Sequence, residues 1–253
     1  MGKMLALISV VKDEIDVIDY MIDYHIQIGV EAFFIKDNGS TDGTYEALHK
    51  RKSKTFKVYR DPDVNHYQSR KMTELANIAF NHGYKYILPL DADELFVKEK
   101  GTTMRQICEG LNEPGCAAVD WRNYHNTELD DPYEPIPFRR MTYASGVQKY
   151  LFKSLIHWKP GMRIWQGNHG IDNPGQFPNY KLTECYVANF PWRSKEQALK
   201  KIISNGVSHK NIRDNADEIR SNYNGWLTGG QEWLDKFWKS HIVNSKELEK
   251  LPI

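Results

Sequence analysis

The sequence predicts an α/β fold built on a mostly parallel sheet with helices on both faces. Three observations carry that expectation: apolar runs of strand length alternate with segments of helical period, the first runs are apolar throughout, and the second is followed by the Asn-Gly and Asp-Gly turns of DNGSTDGT. Residues 4 to 11, MLALISVV, read as a strand buried on both faces. From Glu14 to Ile28 apolar residues advance by threes and fours and stop at Gly29, the pattern of a helix closed by a left-handed cap. EAFFIK reads as a second strand, and DNGSTDGT, residues 37 to 44, as a turn in which Ser40 or Thr41 caps a short helix starting near Thr44. TFKVYR is a third strand, Gln68 to His82 a second long helix, and KYILPL the strand that follows it. Such sheets bind ligands at the carboxyl ends of their strands.

Beyond residue 100 the pattern loosens. CAAVDW and VQKYLFKSLIHW are strand-like, and residues 124 to 137 form a proline-bearing loop. Ser194 and Gln197 make a capping-box pair, and Trp233, Leu234, Phe237 and Trp238 share one face of a last helix. The expected organisation is a nucleotide-binding half over residues 1–100, an acceptor-binding half over 101–205, and a helical extension over 206–253.

In 253 residues, 34 basic side chains stand against 33 acidic ones, so no general attraction to nucleic acid or anionic membrane is expected. Three cysteines without C-x-x-C spacing argue against a disulfide framework or structural zinc and favour a reducing compartment. With no signal-peptide pattern and no apolar run of membrane-spanning length, a cytoplasmic protein is expected. The last helix is the segment for any peripheral contact at the inner membrane face, although its mixed charge favours docking on the core.

The run YILPLDADELF drives an apolar strand into Asp91, Asp93 and Glu94. If the backbone stays extended, Asp91 and Asp93 leave on one face and can share a hard divalent cation, Mg²⁺ or Mn²⁺. A solvated strand end is the plain alternative. An EF-hand is excluded, because Phe96 stands where that loop needs glycine.

VVKDE, KDNGSTDGT and YILPLDADELF, in this order, resemble the successive motifs of family-2-type glycosyltransferases with the GT-A fold. WQGNHGI and FPWRSKEQALKK resemble later segments of a bacterial branch of those enzymes. The resemblance implies a metal-dependent transferase that moves a sugar from a nucleotide-diphosphate donor, usually a UDP-sugar, to a glycan or lipid-linked acceptor in surface polysaccharide or glycoconjugate synthesis. It places Asp37 on the donor base, Val11, Lys12, Asp13 and Glu14 around the nucleotide, Asp91 near ribose and metal, Asp93 on the metal, and His169 as a further metal ligand. Taken locally, Asp37 is equally an Asx-turn residue and His169 a loop histidine. Arg70 and Lys71, at the start of a helix, could neutralise a diphosphate or form a solvated face.

For the base that takes the acceptor proton, Asp120 interrupts an apolar strand and leads Asp131 and Glu134. Pairing with Arg122 or Arg139 is its structural alternative. Two departures from the family stand out. Asn189 occupies the place of a histidine before RS, and the acidic pair that precedes the acceptor helix is missing, so neither role transfers. Trp121, Tyr124, Trp158, Trp165 and Trp192 are candidates for stacking on sugar. Two other classes compete. A sugar-phosphate nucleotidyltransferase needs a glycine-rich loop after the first strand, which SVVKDEID lacks. A glycan-binding protein with a decayed donor site would have lost Asp37, Asp91 or Asp93.

Overall fold

A computed structural model of the chain describes residues 3–61, 63, 67–148, 152–172, 174–208, 217–251 and 253. In chain order its first elements are β1 (Leu5–Val11), α1 (Ile18–Ile28), β2 (Ala32–Asp37), α2 (Thr44–Lys50), β3 (Phe56–Arg60), α3 (Gln68–Asn81) and β4 (Tyr86–Pro89). Then come β5 (Glu94–Lys98), α4 (Met104–Gly110), β6 (Gly115–Thr127), α5 (Pro137–Arg140), β7 (Tyr143–Ala144), β8 (Phe152–His157) and β9 (Asn179–Asn189). The chain closes with α6 (Lys195–Ser208), α7 (Asp217–Ser240), β10 (Ile242–Val243) and β11 (Glu249–Lys250). The fold is α/β, with a parallel strand core flanked by helices. Two compact units interleave along the chain: residues 1–62, 67–122 and 147–189 form the first, and 63–66, 123–146 and 190–253 the second. The sequence reading divides the chain sequentially instead.

In the first unit the strand order is β6-β8-β4-β1-β2-β3. The four strands β4, β1, β2 and β3 are parallel, whereas β8 runs antiparallel to β4 and β6 antiparallel to β8. The apolar character of β1 and β2 has its cause here, since Leu5 to Ile8 and Ala32 to Ile35 are at most 3% exposed. Helix α3 lays Met72, Leu75, Ala76 and Ala79 on one face of this sheet, in one core with Ala6, Ile8, Phe34, Ile87 and Ile156. Helix α1 begins at Ile18, four residues later than its periodicity suggests, because the preceding residues form a turn in which the Val17 and Ile18 amides donate to the Glu14 carbonyl. Its cap is Gly29 in the left-handed region (φ 108°), as the sequence indicates. Helix α2 has Gly43 at its N-cap instead of Ser40 or Thr41, and the Asp42 carboxylate takes up the Thr44 amide.

Strand β5 lies off this path and pairs with β9, in register from Glu94↔Asn189 to Lys98↔Cys185. Helix α1 fixes it through two neighbouring side chains. Tyr24 Oη donates to the Phe96 carbonyl at 3.3 Å, and Nε2 of fully buried His25 accepts the Phe96 amide at 3.1 Å. His25 Nδ1 meets the Met21 carbonyl at 2.7 Å, so this ring uses both nitrogens only as the neutral Nδ1–H tautomer. Burial pushes its pKa from the ordinary 6.5 to about 4.

In the second unit the end of β6 pairs with β7 and β10, and β7 with β11. Helix α7 is interrupted at Gly230 (φ 53°), and beyond that break Leu234 and Phe237 are buried against Ala198 and Ile202 of α6, with Trp192, Trp233 and Trp238 packed around them. The aromatic face of the last helix therefore docks on a core within its own unit. Among the described residues no helix is long and apolar enough to cross a membrane.

Candidate functional site

The carboxyl ends of β2, β1 and β4 lie side by side in the first unit, since β1 pairs with both of the others. Asp37 ends β2, and Asp91 follows β4 by two residues. Two strand spacings separate those ends, roughly 10 Å. The β1–α1 loop and the DNGSTDGT loop are stapled together at this rim. The Asp13 amide donates to Ser40 Oγ at 2.9 Å, Asp13 Oδ1 accepts the Thr41 amide at 2.7 Å, and the Glu14 amide donates to Thr44 Oγ1 at 2.9 Å. Asp13 adopts φ 56°, a left-handed conformation that aspartate tolerates better than most residues. Its carboxylate thus holds a loop. Val11 is buried, with its carbonyl on the Asn38 amide, while Lys12 and Glu14 are half-buried.

Asp37 is fully buried. Its Oδ2 accepts from the Gly39 amide at 3.1 Å and the Ser40 amide at 3.2 Å and pairs with Arg60 Nη1 at 3.0 Å. Its Oδ1 is buried with no hydrogen-bond partner among the described residues. The Asx-turn role and an acceptor role therefore reside in different oxygens of one carboxylate. Arg60, which the sequence reading missed, also lies over the Tyr45 ring at 4.5 Å.

The carboxylate run does not continue as a strand. Strand β4 ends at Pro89, residues 92–93 form a turn closed by the Glu94 amide on the Asp91 carbonyl at 3.2 Å, and β5 begins at Glu94. The extended backbone on which a shared face for Asp91 and Asp93 was expected is absent.

Asp91 sits in a dense set of donors. Gln68 Nε2 at 2.7 Å and Asn168 Nδ2 at 3.2 Å reach its Oδ1, and Lys153 Nζ at 3.0 Å reaches its Oδ2. Lys153 is only 2% exposed. It also contacts Glu94 Oε1 at 2.8 Å and the Gly167 carbonyl at 2.9 Å and lies 5.3 Å from the centre of the Trp121 ring. Glu94 Oε2 accepts the Asp91 amide at 3.0 Å, and burial pushes the Glu94 pKa up to about 8 against the pull of Lys153. Asn189 is the register partner of Glu94. The sequence did carry one signal for Lys153, a single cation inside the apolar run LFKSLIHW.

His169 lies in the same unit, with its ring centre 6.0 Å from that of Trp121. Its Nδ1 approaches the Phe152 carbonyl at 2.6 Å, which selects the Nδ1–H tautomer and leaves a lone pair on Nε2. Burial lowers its pKa, with Lys153 acting in the same direction. Gly167 makes room for the ring, for a Cβ there would stand 2.6 Å from His169 Cδ2 and Nε2. Asn168 holds φ 62°, is fully buried, and keeps its Oδ1 without a partner among the described residues, as does Trp121 Nε1. Beside His169 opens a cavity of about 220 Å³ lined by Phe152, Trp165, Tyr180, Asn179, Cys116 and Ala118.

Among the described residues no three histidine, cysteine, aspartate or glutamate side chains gather closely enough to hold a metal ion. With both Asp91 oxygens engaged, one by an ammonium, the trio of Asp91, Asp93 and His169 does not fit a divalent cation as a three-ligand clamp. Asp93 is itself buried. Lys71 departs from expectation too. It is 1% exposed and engaged by Asp61 Oδ2 at 2.9 Å and Asn38 Oδ1 at 2.7 Å, so it ties the DNGSTDGT loop to α3 instead of facing a diphosphate. Arg70 is exposed over the Tyr67 ring at 5.2 Å. Asp120 is half-buried and leaves β6 on the face that Cys116 and Ala118 present to the cavity. Asp131 and Glu134 belong to the second unit, where each accepts the amide two residues on at 2.9 Å.

No protein-family model matches the chain, and no curated protein does. Solved structures similar to it include residues 1–349 of S. aureus TarS in complex with UDP-GlcNAc, at 10% identity over 94% of this chain and 79% of that one, with a TM-score of 0.48. The mannosyltransferase PcManGT from Pyrobaculum calidifontis, in complex with GDP-Man and Mn²⁺, matches at 13% identity over 94% and 73%, with a TM-score of 0.41. HddC from Yersinia pseudotuberculosis matches at 10% identity over 79% and 97%, with a TM-score of 0.39. At these values the functional argument rests on the residues of this chain.

Proposed function

We propose that the chain is a glycosyltransferase that takes a nucleotide-diphosphate sugar, with UDP-sugars the first donors to test, and passes the sugar to a hydroxyl of a glycan or lipid-linked glycan in bacterial surface polysaccharide or glycoconjugate synthesis. The observation that supports this most is the Asp37 carboxylate, buried at the rim of a parallel sheet with one oxygen satisfied and the other without a hydrogen-bond partner among the described residues. A buried acceptor left open costs about 1–3 kcal/mol, and the imide or amino N–H of a nucleobase can recover it. Arg60 holds the other oxygen in place at 3.0 Å.

The remaining groups fall into an order along the rim. Lys12, directly after β1, and Arg70, at the start of α3, are the cations for the diphosphate. Asp91 offers its remaining lone pair to a donor hydroxyl. The cavity beside His169 suits the acceptor, with an aromatic wall at Trp165 for a sugar ring and Asn179 for a hydroxyl. In the transfer, the acceptor oxygen forms a bond to the anomeric carbon as the bond from that carbon to the diphosphate oxygen breaks. The electron pair leaves with the diphosphate, and the hydroxyl proton passes to a carboxylate, for which Asp120 is the candidate.

The test is thermal shift against a panel of nucleotide sugars, each with and without Mn²⁺. A donor at a hundred times its Kd stabilises the fold by about 2.7 kcal/mol. For a chain of this size that corresponds to a Tm rise of roughly 5–11 °C. Asp37→Asn, which keeps the size but turns an acceptor pair into a mixed amide, removes most of that rise. A panel that stabilises neither protein refutes the reading.

A further inference from the structure

The geometry points to Lys153 as a built-in counter-cation that reserves Asp91 as a hydrogen-bond acceptor and keeps it out of the coordination sphere of any divalent ion. This goes against the expectation drawn from the DADE motif, in which both aspartates serve one metal. The argument starts from the count of bonds. An ionised carboxylate offers about four lone-pair directions, and protein donors already take three of those on Asp91. One of the three is an ammonium at 3.0 Å, held from behind by Glu94 at 2.8 Å and the Gly167 carbonyl at 2.9 Å.

Lys153 has no room to withdraw. Its side chain is 3% exposed, Trp121 lies over it, and fully buried Glu94 would lose its partner if it left. A dication bound to Asp91, whose side chain is 29% exposed, would face the buried positive charge of Lys153 across one carboxylate, and water screens that repulsion only in part. The donors are also drawn from remote parts of the sequence, Gln68, Lys153 and Asn168, which is the mark of a carboxylate oriented with care and not of a surface charge. Among the described residues, what remains open on Asp91 is one lone pair, suited to a hydroxyl. Lys153 is therefore a positioning residue that acts through Asp91. Only the identity of that hydroxyl, a donor ribose or sugar, rests on the function proposed above.

The experiment measures Mn²⁺ affinity by the loss of the free-ion electron paramagnetic resonance signal, with the protein alone and with saturating UDP. Asp91→Asn is expected to leave the affinity of the wild-type chain within about twofold, and a wild-type chain that takes up no Mn²⁺ in either condition agrees equally with an Asp91 closed to metal. A tenfold or greater loss of affinity in Asp91→Asn overturns the inference. The second arm removes the ammonium and its buried carboxyl partner together in Glu94→Gln/Lys153→Met. Once circular dichroism shows that this variant is folded, it is expected to gain at least tenfold in Mn²⁺ affinity and to lose the gain again when Asp91→Asn is added. An unchanged affinity shows that Lys153 is not what excludes the ion and likewise overturns the inference. If the double variant does not fold, the Asp91→Asn arm decides alone. The measurements on the protein alone do not depend on nucleotide binding, so a failed donor panel and a failed counter-cation are told apart.

Discussion

Acidification should unlatch β5, because His25 serves two backbone groups at once only while neutral. Its pKa is 6.5 in an ordinary setting and about 4 in the fold. A folded pKa below the unfolded one means that the unfolded chain binds the extra proton first, so the contribution is complete above pH 6.5 and is lost as pH falls toward 4. Evaluating both protonation equilibria between pH 7 and pH 5 gives a loss of about 2 kcal/mol. The assay is urea unfolding at those two pH values for wild type and for His25→Gln, whose amide can still accept the Phe96 amide but does not titrate. The variant is less stable at pH 7 through lost packing, yet its further loss on going to pH 5 should be smaller than that of wild type by about 2 kcal/mol. Equal losses in the two proteins would falsify the account. Because Phe96 follows the Asp91–Glu94 turn by two residues, the same pH step should weaken nucleotide binding in wild type more than in the variant.

Three further perturbations follow from contacts already described. Lys153→Met leaves the partly exposed Asp91 and the Gly167 carbonyl without their ammonium, a change worth about 1–3 kcal/mol, and the Tm should fall by roughly 2–12 °C in calorimetry. Adding Glu94→Gln should change that fall little, because buried Glu94, its pKa pushed up to about 8, is already mostly neutral at pH 7. Gly167→Ala places a Cβ 2.6 Å from the His169 ring at φ 77°. It should cost about 1–3 kcal/mol and shift the His169 ring resonances in NMR, with far smaller shifts at His25. Thr103→Ala breaks the capping box with Gln106 at the start of α4 and should cost about 1 kcal/mol in denaturant unfolding, leaving nucleotide affinity unchanged.

The first hundred residues were legible because their signals are local. The runs through Leu5 and Phe33 are apolar on both faces, and Gly29 ends a clear helical stripe, so β1, α1 and β2 could be read directly. The turn at Asp91 was hidden by its surroundings. ILPL and ELFV are both apolar, and nothing nearby tells that the second run pairs with Val187 and Ala188, some ninety residues on. Lys71 misled for a similar reason, since its partner Asp61 lies outside any periodic segment. Lys153 was visible as a charge in an apolar run, the same kind of anomaly that drew attention to Asp120. Its partners could not be named without the fold, because Asp91 and Glu94 lie about sixty residues away.

The set of donors around Asp91 also has a kinetic meaning. Its members come from α3, β8 and the Gly167–His169 turn, and Glu94 opens β5, so the pocket closes only when segments far apart in sequence have already met. A nucleotide can recognise nothing in the chain before that moment. On the function proposed above, adding a nucleotide should therefore leave the refolding rate alone and slow unfolding, so that occupancy of the site lengthens the lifetime of the native protein without helping it to form.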